Sequence, residues 1–191
     1  MTSMPINSVK KSTSRRTLIL VFAVFTLPVI LAKFALNDHW FNYGVTNQGT
    51  LVANEITLEK MGLNKAQFNK KWLMLYVLPE TCAEQCQQIL HNINNTYVAL
   101  GKEAERVTPL VLTNSTLTAA QQAQLHSKKW QIQDLPTKTQ QLFTQPQVLI
   151  VDPLGNVILS HQPPKNSQAL PLFGKALLAD FKKVLKYSRI G

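Results

Sequence analysis

The chain has 191 residues, 45% of them hydrophobic, and carries a formal net charge of +10. This length and apolar content suit one domain of ordinary size with appendages and exclude a disordered chain. Five of the 20 basic residues precede position 37, where there is no acidic residue, so the remaining 15 basic and 10 acidic residues leave only +5. Without a basic patch interleaved with aromatic residues, the charge does not predict nucleic-acid binding.

The first predicted element is an apolar helix. Residues 18–32 contain no charge, and residues 34–36 extend the apolar run past Lys33. We expect a membrane-spanning helix over residues 17–36, preceded by a basic stretch over residues 1–16. The aromatic and histidine side chains that would form an interfacial belt after it are His39, Trp40, Phe41 and Tyr43.

The orientation of this helix follows from its flanking charges. Lys10, Lys11, Arg15 and Arg16 precede it, which places the N-terminus in the cytoplasm and the main domain outside. In a bacterium, the protein would then be a single-pass component of the inner membrane, with its main domain in the periplasm. A cleaved signal peptide is the alternative, but no clean small-x-small pair follows the apolar run.

Residues 37–70 contain turn-forming Asn-Tyr-Gly and Asn-Gln-Gly sequences around a short apolar run that begins at Thr50. We interpret them as a tether with one edge strand. The main domain is placed at residues 71–191. It opens with Lys-Trp-Leu-Met-Leu-Tyr-Val-Leu over 71–78, a near-continuous apolar run that predicts a central strand covered on both faces.

The rest of the domain alternates between helical and strand patterns. Apolar residues at helical spacing run from Cys86 to Gly101, and a Gln-rich stretch over 118–128 predicts a second helix. Strands are expected at 106–112, at 147–152 and at 157–160, with Pro109 favouring an edge position for the first of them. A final helix would begin near Ala169 and direct inward Leu172, Phe173, Ala176, Leu177, Phe181 and Leu185. The order strand, helix, strand, helix, strand, strand, helix predicts an α/β fold of the thioredoxin-like type, behind one transmembrane helix.

The only two cysteines, Cys82 and Cys86, stand where the first domain strand gives way to a helix. A helix N-terminus favours the thiolate, which is the form that attacks disulfides or binds metals. If Cys82 lies in the first turn, Cys86 is one turn further along the same face, so the sulfurs could meet each other or a shared metal ion. Two buried apolar residues or a stabilising disulfide are the alternatives. A five-residue ring gains little stability, which favours a reactive pair.

Pro146 immediately precedes the third domain strand. A cis-proline occupies this place in thioredoxin-like proteins and faces the active-site sulfurs. We therefore expect Pro146 to be cis and to lie beside Cys82 and Cys86 as part of the catalytic site.

Together, the basic start, the single apolar helix, the Trp-Leu-Met-Leu-Tyr-Val strand, the Cys-x-x-x-Cys spacing and the Val-Leu-Ile-Val-Asp-Pro-Leu-Gly-Asn-Val hairpin resemble the Sco/SenC group. The similarity covers roughly residues 15 to 187. It implies a membrane-anchored thioredoxin-fold protein that helps to assemble the copper centre of cytochrome c oxidase. The implied partners are a terminal oxidase subunit or other assembly factors.

The sequence departs from that group at the copper site. Sco proteins bind copper through the two cysteines and a histidine some eight residues before the hairpin aspartate, and Thr144 stands at that position here. Copper is therefore not a required cofactor, and thiol–disulfide exchange through Cys82 and Cys86 becomes the favoured chemistry. A Cu(I) site formed by the two cysteines, and a redox-inert tethered scaffold with a structural disulfide, are the alternatives.

Overall fold

The computed structural model describes residues 15–37, 47–52 and 55–190. The first element is helix α1 (Arg15–Asn37), 23 residues long with Pro28 inside it. Its segment Arg15–Phe34 is long and apolar enough to cross a membrane, and apolar side chains such as Phe22 and Phe25 are exposed. α1 is therefore a candidate single membrane span. The predicted interfacial belt at residues 39–43 lies outside the described residues.

The second compact unit comprises Asn47–Gly191. Its strands are β1 (Thr50–Leu51), β2 (Trp72–Val77), β3 (Val107–Thr113), β4 (Gln131–Asp134), β5 (Gln147–Val151) and β6 (Val157–His161). Its helices are α2 (Glu84–Ala99), α3 (Ala119–Ser127), α4 (Thr137–Leu142) and α5 (Leu170–Tyr187). Short 3₁₀ helices cover Lys65–Phe68, Gly101–Arg106 and Ser167–Ala169.

The six strands form one mixed sheet in the order β1-β6-β5-β2-β3-β4. β2 pairs in parallel with β3 and antiparallel with β5, so the predicted central position of the first domain strand is confirmed. β5 and β6 form the predicted antiparallel hairpin. Asp152 closes its turn, because its carboxylate accepts hydrogen bonds from the backbone N–H groups of Leu154 (2.9 Å) and Asn156 (2.7 Å). The α/β thioredoxin-like architecture expected from the element order is observed.

Alternate residues of β2 supply the two sides of the core. Met74 and Tyr76 belong to the larger apolar cluster, which α2 and α5 cover through residues such as Ile93 and Phe181. The other face of the sheet is covered by a smaller cluster that includes Met61, Phe68 and Phe143. This two-sided burial explains why β2 has no charged residue in its sequence.

Three expectations about this domain differ from the structure. Pro109 is not on an edge strand, because β4 covers β3; pairing with β4 begins at Leu110, so β4 does not pair with Pro109 itself. Leu172 is 71% exposed rather than inward, since Phe173 takes the buried position in that turn of α5. β4 and α4 were not expected, because neither has an apolar run: their sequences are Gln-Ile-Gln-Asp and Thr-Lys-Thr-Gln-Gln-Leu.

A buried polar group joins the start of this unit to its last helix. The Asp180 carboxylate accepts hydrogen bonds from the backbone N–H of Gln48 (2.9 and 3.0 Å) and of Gly49 (2.7 Å). Nε2 of His161 lies 3.1 Å from Oδ2 of Asp180. A Cβ on Gly49 would lie 2.5 Å from His161 Nε2, so only glycine fits there. We call Asp180, His161, Gln48 and Gly49 the Asp180 cluster.

Candidate functional site

The junction of β2 and α2, residues 78–86, carries both cysteines, which are joined in a disulfide with a Cα–Cα distance of 5.1 Å. Helix α2 begins at Glu84 after the N-cap residue Ala83. Cys86 is thus in the first helical turn, whereas Cys82 precedes the N-cap. The condition that Cys82 lies in the first helical turn is not met, because Ala83 is still extended (φ −77°, ψ −172°).

The two sulfur-bearing side chains differ in burial. Cys86 is 4% exposed and belongs to the large core cluster, while Cys82 is only partly buried and packs against that cluster. The pair is thus asymmetric, with one cysteine that a partner protein can reach and one that the domain encloses. That asymmetry suits an attacking thiol and a resolving thiol.

Polar contacts fasten both ends of the cysteine loop. The Ser115 hydroxyl, just after β3, lies 2.6 Å from the carbonyl oxygens of both Pro79 and Glu80 and donates its proton to this pair. On the other side, the Gln85 amide donates to the carbonyl oxygens of Pro164 (3.1 Å) and Lys165 (2.6 Å). These contacts hold the strand-to-helix junction in place while leaving the Cys82 side chain accessible.

Glu80, before the pair, and Glu84, between the two cysteines at the start of α2, are both exposed. Of the residues that fasten this loop, neither Ser115 nor Gln85 was identified from sequence. Each is an ordinary polar residue whose partners are distant in sequence, 35 and 36 positions away for Ser115 and 79 and 80 for Gln85.

A cleft of about 370 Å³ opens beside the disulfide. Its lining brings together Cys86 from α2, Pro146 before β5 and Tyr76 from β2. Pro146 and Cys86 thus line the same cleft, and the catalytic role of Pro146 stays a prediction. The predicted cis geometry of Pro146 is not observed: the residues that the structure describes contain no cis peptide bond, so Gln145–Pro146 takes the trans form that X-Pro bonds ordinarily prefer.

Tyr76 forms the floor of this region. Its side chain is fully buried, and its hydroxyl oxygen has no hydrogen-bond partner among the described residues. Burial raises the pKa of the Tyr76 phenol far above its ordinary range, so the group keeps its proton. The site thus contains a buried donor that is not satisfied while the disulfide is closed.

Among the described residues, no histidine or acidic side chain joins the two cysteines in a group that could hold a metal ion. Thr144, at the position where Sco proteins have histidine, lines a second cleft with Pro79 and Glu80. Within the described ranges no group of three His, Cys, Asp or Glu side chains is placed to hold a metal ion. His91 and His126 are exposed, and His161 is buried against Asp180. The side chains present therefore fit a two-thiolate Cu(I) site but not a Cu(II) site with an imidazole ligand.

The fold and the cysteine pair agree with a family model. The model described as "Transmembrane-like, thioredoxin-like, C-terminal domain" matches residues 72–188. The chain belongs to this transmembrane-like, thioredoxin-like family. The match begins at the first residue of β2 and runs through α5, so it includes the cysteine loop, the cleft and Pro146.

Several solved structures are also similar to this chain, although their sequences are only distantly related to it. A thiol:disulfide interchange protein from Bacteroides sp. is 14% identical, with a TM-score of 0.46 over 74% of this chain and 91% of the other. BsSco, a member of the Sco family of cytochrome c oxidase assembly proteins, is 11% identical, with a TM-score of 0.45 over 64% and 85%. A putative thiol:disulfide interchange protein DsbE from Chlorobium tepidum is 16% identical, with a TM-score of 0.37 over 68% and 96%. Comparison with curated protein sequences finds no significant match.

Proposed function

We propose that the protein catalyses thiol–disulfide exchange through Cys82 and Cys86. The observation that carries this proposal is the disulfide between a partly exposed cysteine before α2 and a buried cysteine in its first turn, beside a cleft that Pro146 also lines. A purely structural bridge would gain more from enclosing both sulfurs and closing a longer loop. An accessible sulfur next to an open cleft supports exchange with a partner.

The exchange has two balanced steps. In the reduced protein, the Cys82 thiolate attacks one sulfur of a partner disulfide, forming a mixed disulfide and releasing the other partner sulfur as a thiolate. The Cys86 thiolate then attacks the Cys82 sulfur and releases the second partner thiolate. The partner gains two electrons and the Cys82–Cys86 pair loses two. A dithiol reductant must restore the reduced pair before the next cycle.

The proposed setting is the bacterial inner membrane, with α1 as an uncleaved anchor, the N-terminus in the cytoplasm and the thioredoxin-like domain in the periplasm. The charges before α1 and its absence of acidic residues support this orientation. The proposed partner is a terminal oxidase subunit whose copper-binding cysteines must be reduced before they take up metal, or another assembly factor. This part of the proposal rests on the resemblance of the sequence motifs to the Sco/SenC group.

The exchange is tested with the reduced full chain in detergent and an oxidised two-cysteine peptide as substrate. Wild type should reduce the peptide, Cys86→Ser should accumulate a mixed disulfide through Cys82, and Cys82→Ser should do neither. Cys82→Ser and Cys86→Ser form the matched pair, because each leaves one thiol. Trapping through Cys86 instead, or no reduction by wild type, would contradict the assignment of roles.

Copper delivery is the second candidate, because two thiolates with a Cα–Cα distance of 5.1 Å can bind a single Cu(I). Titration of Cu(I) into the reduced protein, in competition with a chelator of known affinity, separates the two functions. Tight stoichiometric binding that either cysteine-to-serine substitution abolishes would favour copper delivery. Peptide reduction without tight binding favours exchange, and the absence of both leaves a tethered scaffold.

A further inference from the structure

The buried hydroxyl of Tyr76 has no role in the closed disulfide state. Tyr76 lies on the central strand β2, opposite Val111 of β3 and Val148 of β5, six positions before Cys82. Its phenol oxygen is enclosed and without a hydrogen-bond partner in the part of the chain that the structure describes. Leaving such a donor unsatisfied costs about 1 to 3 kcal/mol. A buried hydroxyl without a partner is therefore unusual and requires an explanation.

Tyr76 and Cys86 share both a cleft and a core cluster. Both sulfurs change their hydrogen-bonding capacity when the disulfide opens, and Cys86 is the one of the two cysteines that lines this cleft with Tyr76. A sulfur bonded to another sulfur is a weak acceptor, whereas a thiolate accepts strongly. Tyr76, whose hydroxyl has no partner among the described residues, therefore shares its cleft with a sulfur that becomes a good acceptor only on reduction.

We propose that Tyr76 is a positioning residue that donates a hydrogen bond to the Cys86 sulfur when the Cys82–Cys86 disulfide opens. The proposal rests on the exchange function and deepens it, because it names the group that stabilises the reduced state. Reduction adds two electrons to the disulfide and leaves the sulfurs as thiol or thiolate, with protons taken from solvent. The Tyr76 hydroxyl keeps its own proton throughout and acts only as a donor.

The consequence is a selective stabilisation of the reduced protein. Apolar surroundings such as those of Cys86 oppose a buried thiolate. A donor fixed in the core offsets this penalty without placing a positive charge in the site. The oxidised state gains nothing from the hydroxyl, so the reduction potential of the pair is raised relative to a protein without it.

The test is the reduction potential of the full-length Tyr76→Phe variant, measured at equilibrium with a glutathione redox buffer. A lost hydrogen bond to sulfur should shift the equilibrium constant about tenfold toward the disulfide, which corresponds to a potential about 30 mV more negative. Tyr97→Phe is the matched control. Tyr97 is a partly buried tyrosine on α2 whose hydroxyl donates to Ala104 O at 3.3 Å, and its removal should leave the potential unchanged.

A second measurement distinguishes this role from an ordinary packing effect. Unfolding of each variant is followed in urea with the pair oxidised and with it reduced. Tyr76→Phe should destabilise the reduced form and leave the oxidised form as stable as wild type or more so. An unchanged potential, or equal changes in both redox forms, would overturn the proposal.

Wild-type protein supplies a third measurement that does not depend on the variant folding. In ultraviolet resonance Raman spectra, the tyrosine Fermi doublet should report a new phenol donor on reduction, and no change would count against the proposal. All three measurements require only that the disulfide can be reduced. A protein that fails to reduce partner peptides but shows the Tyr76 shift would therefore contradict the exchange function and not the role of Tyr76.

Discussion

Two groups of residues in the domain differ in what they join: one links neighbouring residues and the other links distant segments. At the junction of β2 and α2, Cys82 and Cys86 are linked by one covalent bond, and one of the two side chains is partly exposed. In the Asp180 cluster, the carboxylate of a residue that is 1% exposed is satisfied by backbone donors from Gln48 and Gly49, with His161 against it. The Cys82 side chain is partly exposed, whereas the side chains of Asp180 and His161 are buried.

The two regions are suited to different roles, one in a reaction and one in the stability of the fold. A bond that must open and close in a reaction cycle should contribute little to the stability of the fold, since that stability would be lost in every cycle. A buried carboxylate contributes through contacts that cannot be lost one at a time without leaving unpaired polar groups in the core. We therefore expect the domain to depend on the Asp180 cluster for its stability and on the cysteine pair for its chemistry.

The largest expected effect comes from Asp180→Ala. The substitution leaves the N–H groups of Gln48 and Gly49 without their acceptor and removes the carboxylate that lies against His161. Breaking a buried polar network of this kind should lower the free energy of unfolding by about 3 to 5 kcal/mol. Urea denaturation of the oxidised protein measures it.

Asp134→Ala provides the matched control, because Asp134 is an exposed aspartate at the end of β4. It should change the free energy of unfolding by no more than about 0.5 kcal/mol. Asp180→Asn should recover part of the loss, since its amide keeps one acceptor oxygen. Equal effects of the alanine substitutions at 134 and 180 would mean that the Asp180 cluster is not a stabilising element.

The cysteine pair and the Asp180 cluster also differ in how far they can be predicted from the sequence. Cys82, Cys86 and Pro146 could be placed in advance, because the apolar run of β2 and the helical spacing of α2 are local patterns. The contacts of Asp180 could not, since they join it to backbone groups 131 and 132 positions away. From the sequence alone, an aspartate in a C-terminal helix would be interpreted as a surface residue. Only the tertiary structure shows that Asp180 is buried.

The missed elements have a related cause. β4 and α4 are short and polar, so neither the period of a strand nor that of a helix appears in their sequences. Their positions depend on contacts with other segments. Thr139 of α4, for example, is held by a 2.6 Å hydrogen bond from its hydroxyl to the carbonyl oxygen of Met61. The long apolar segments of the sequence predicted the core of the fold. The short polar elements β4 and α4 could be identified only from the structure.

Reduction of the disulfide should have a smaller effect than loss of the Asp180 carboxylate. The chain-entropy model for a five-residue ring gives about 2 kcal/mol, because closing so short a loop restricts the unfolded chain only slightly. Comparison of urea unfolding with the pair oxidised and with it kept reduced measures this difference. A loss as large as that of Asp180→Ala would mean that the bridge is a structural support and would remove the contrast between the two regions.

The smallest effect concerns pH and tests whether the Asp180 cluster holds a neutral or a charged histidine. Burial lowers the pKa of His161, and the nearby Asp180 carboxylate only partly opposes this. With the folded-state pKa below the unfolded value of about 6.5, the unfolded chain binds the proton more readily. Stability should therefore fall as pH decreases from about 6.5 toward the lowered pKa, by about 1.4 kcal/mol for each unit of lowering.

The oxidised protein is the right form for this measurement, because its cysteines do not titrate. Urea unfolding at pH 7.5 and 5.5 should show lower stability at the acidic value, and His161→Gln should reduce that difference. His91→Gln, an exposed position on α2, should keep the wild-type difference. If stability rose on acidification instead, an imidazolium would be paired with Asp180 in the folded state. The Asp180 cluster would then be a buried ion pair, with a neutral histidine only in the unfolded chain at neutral pH.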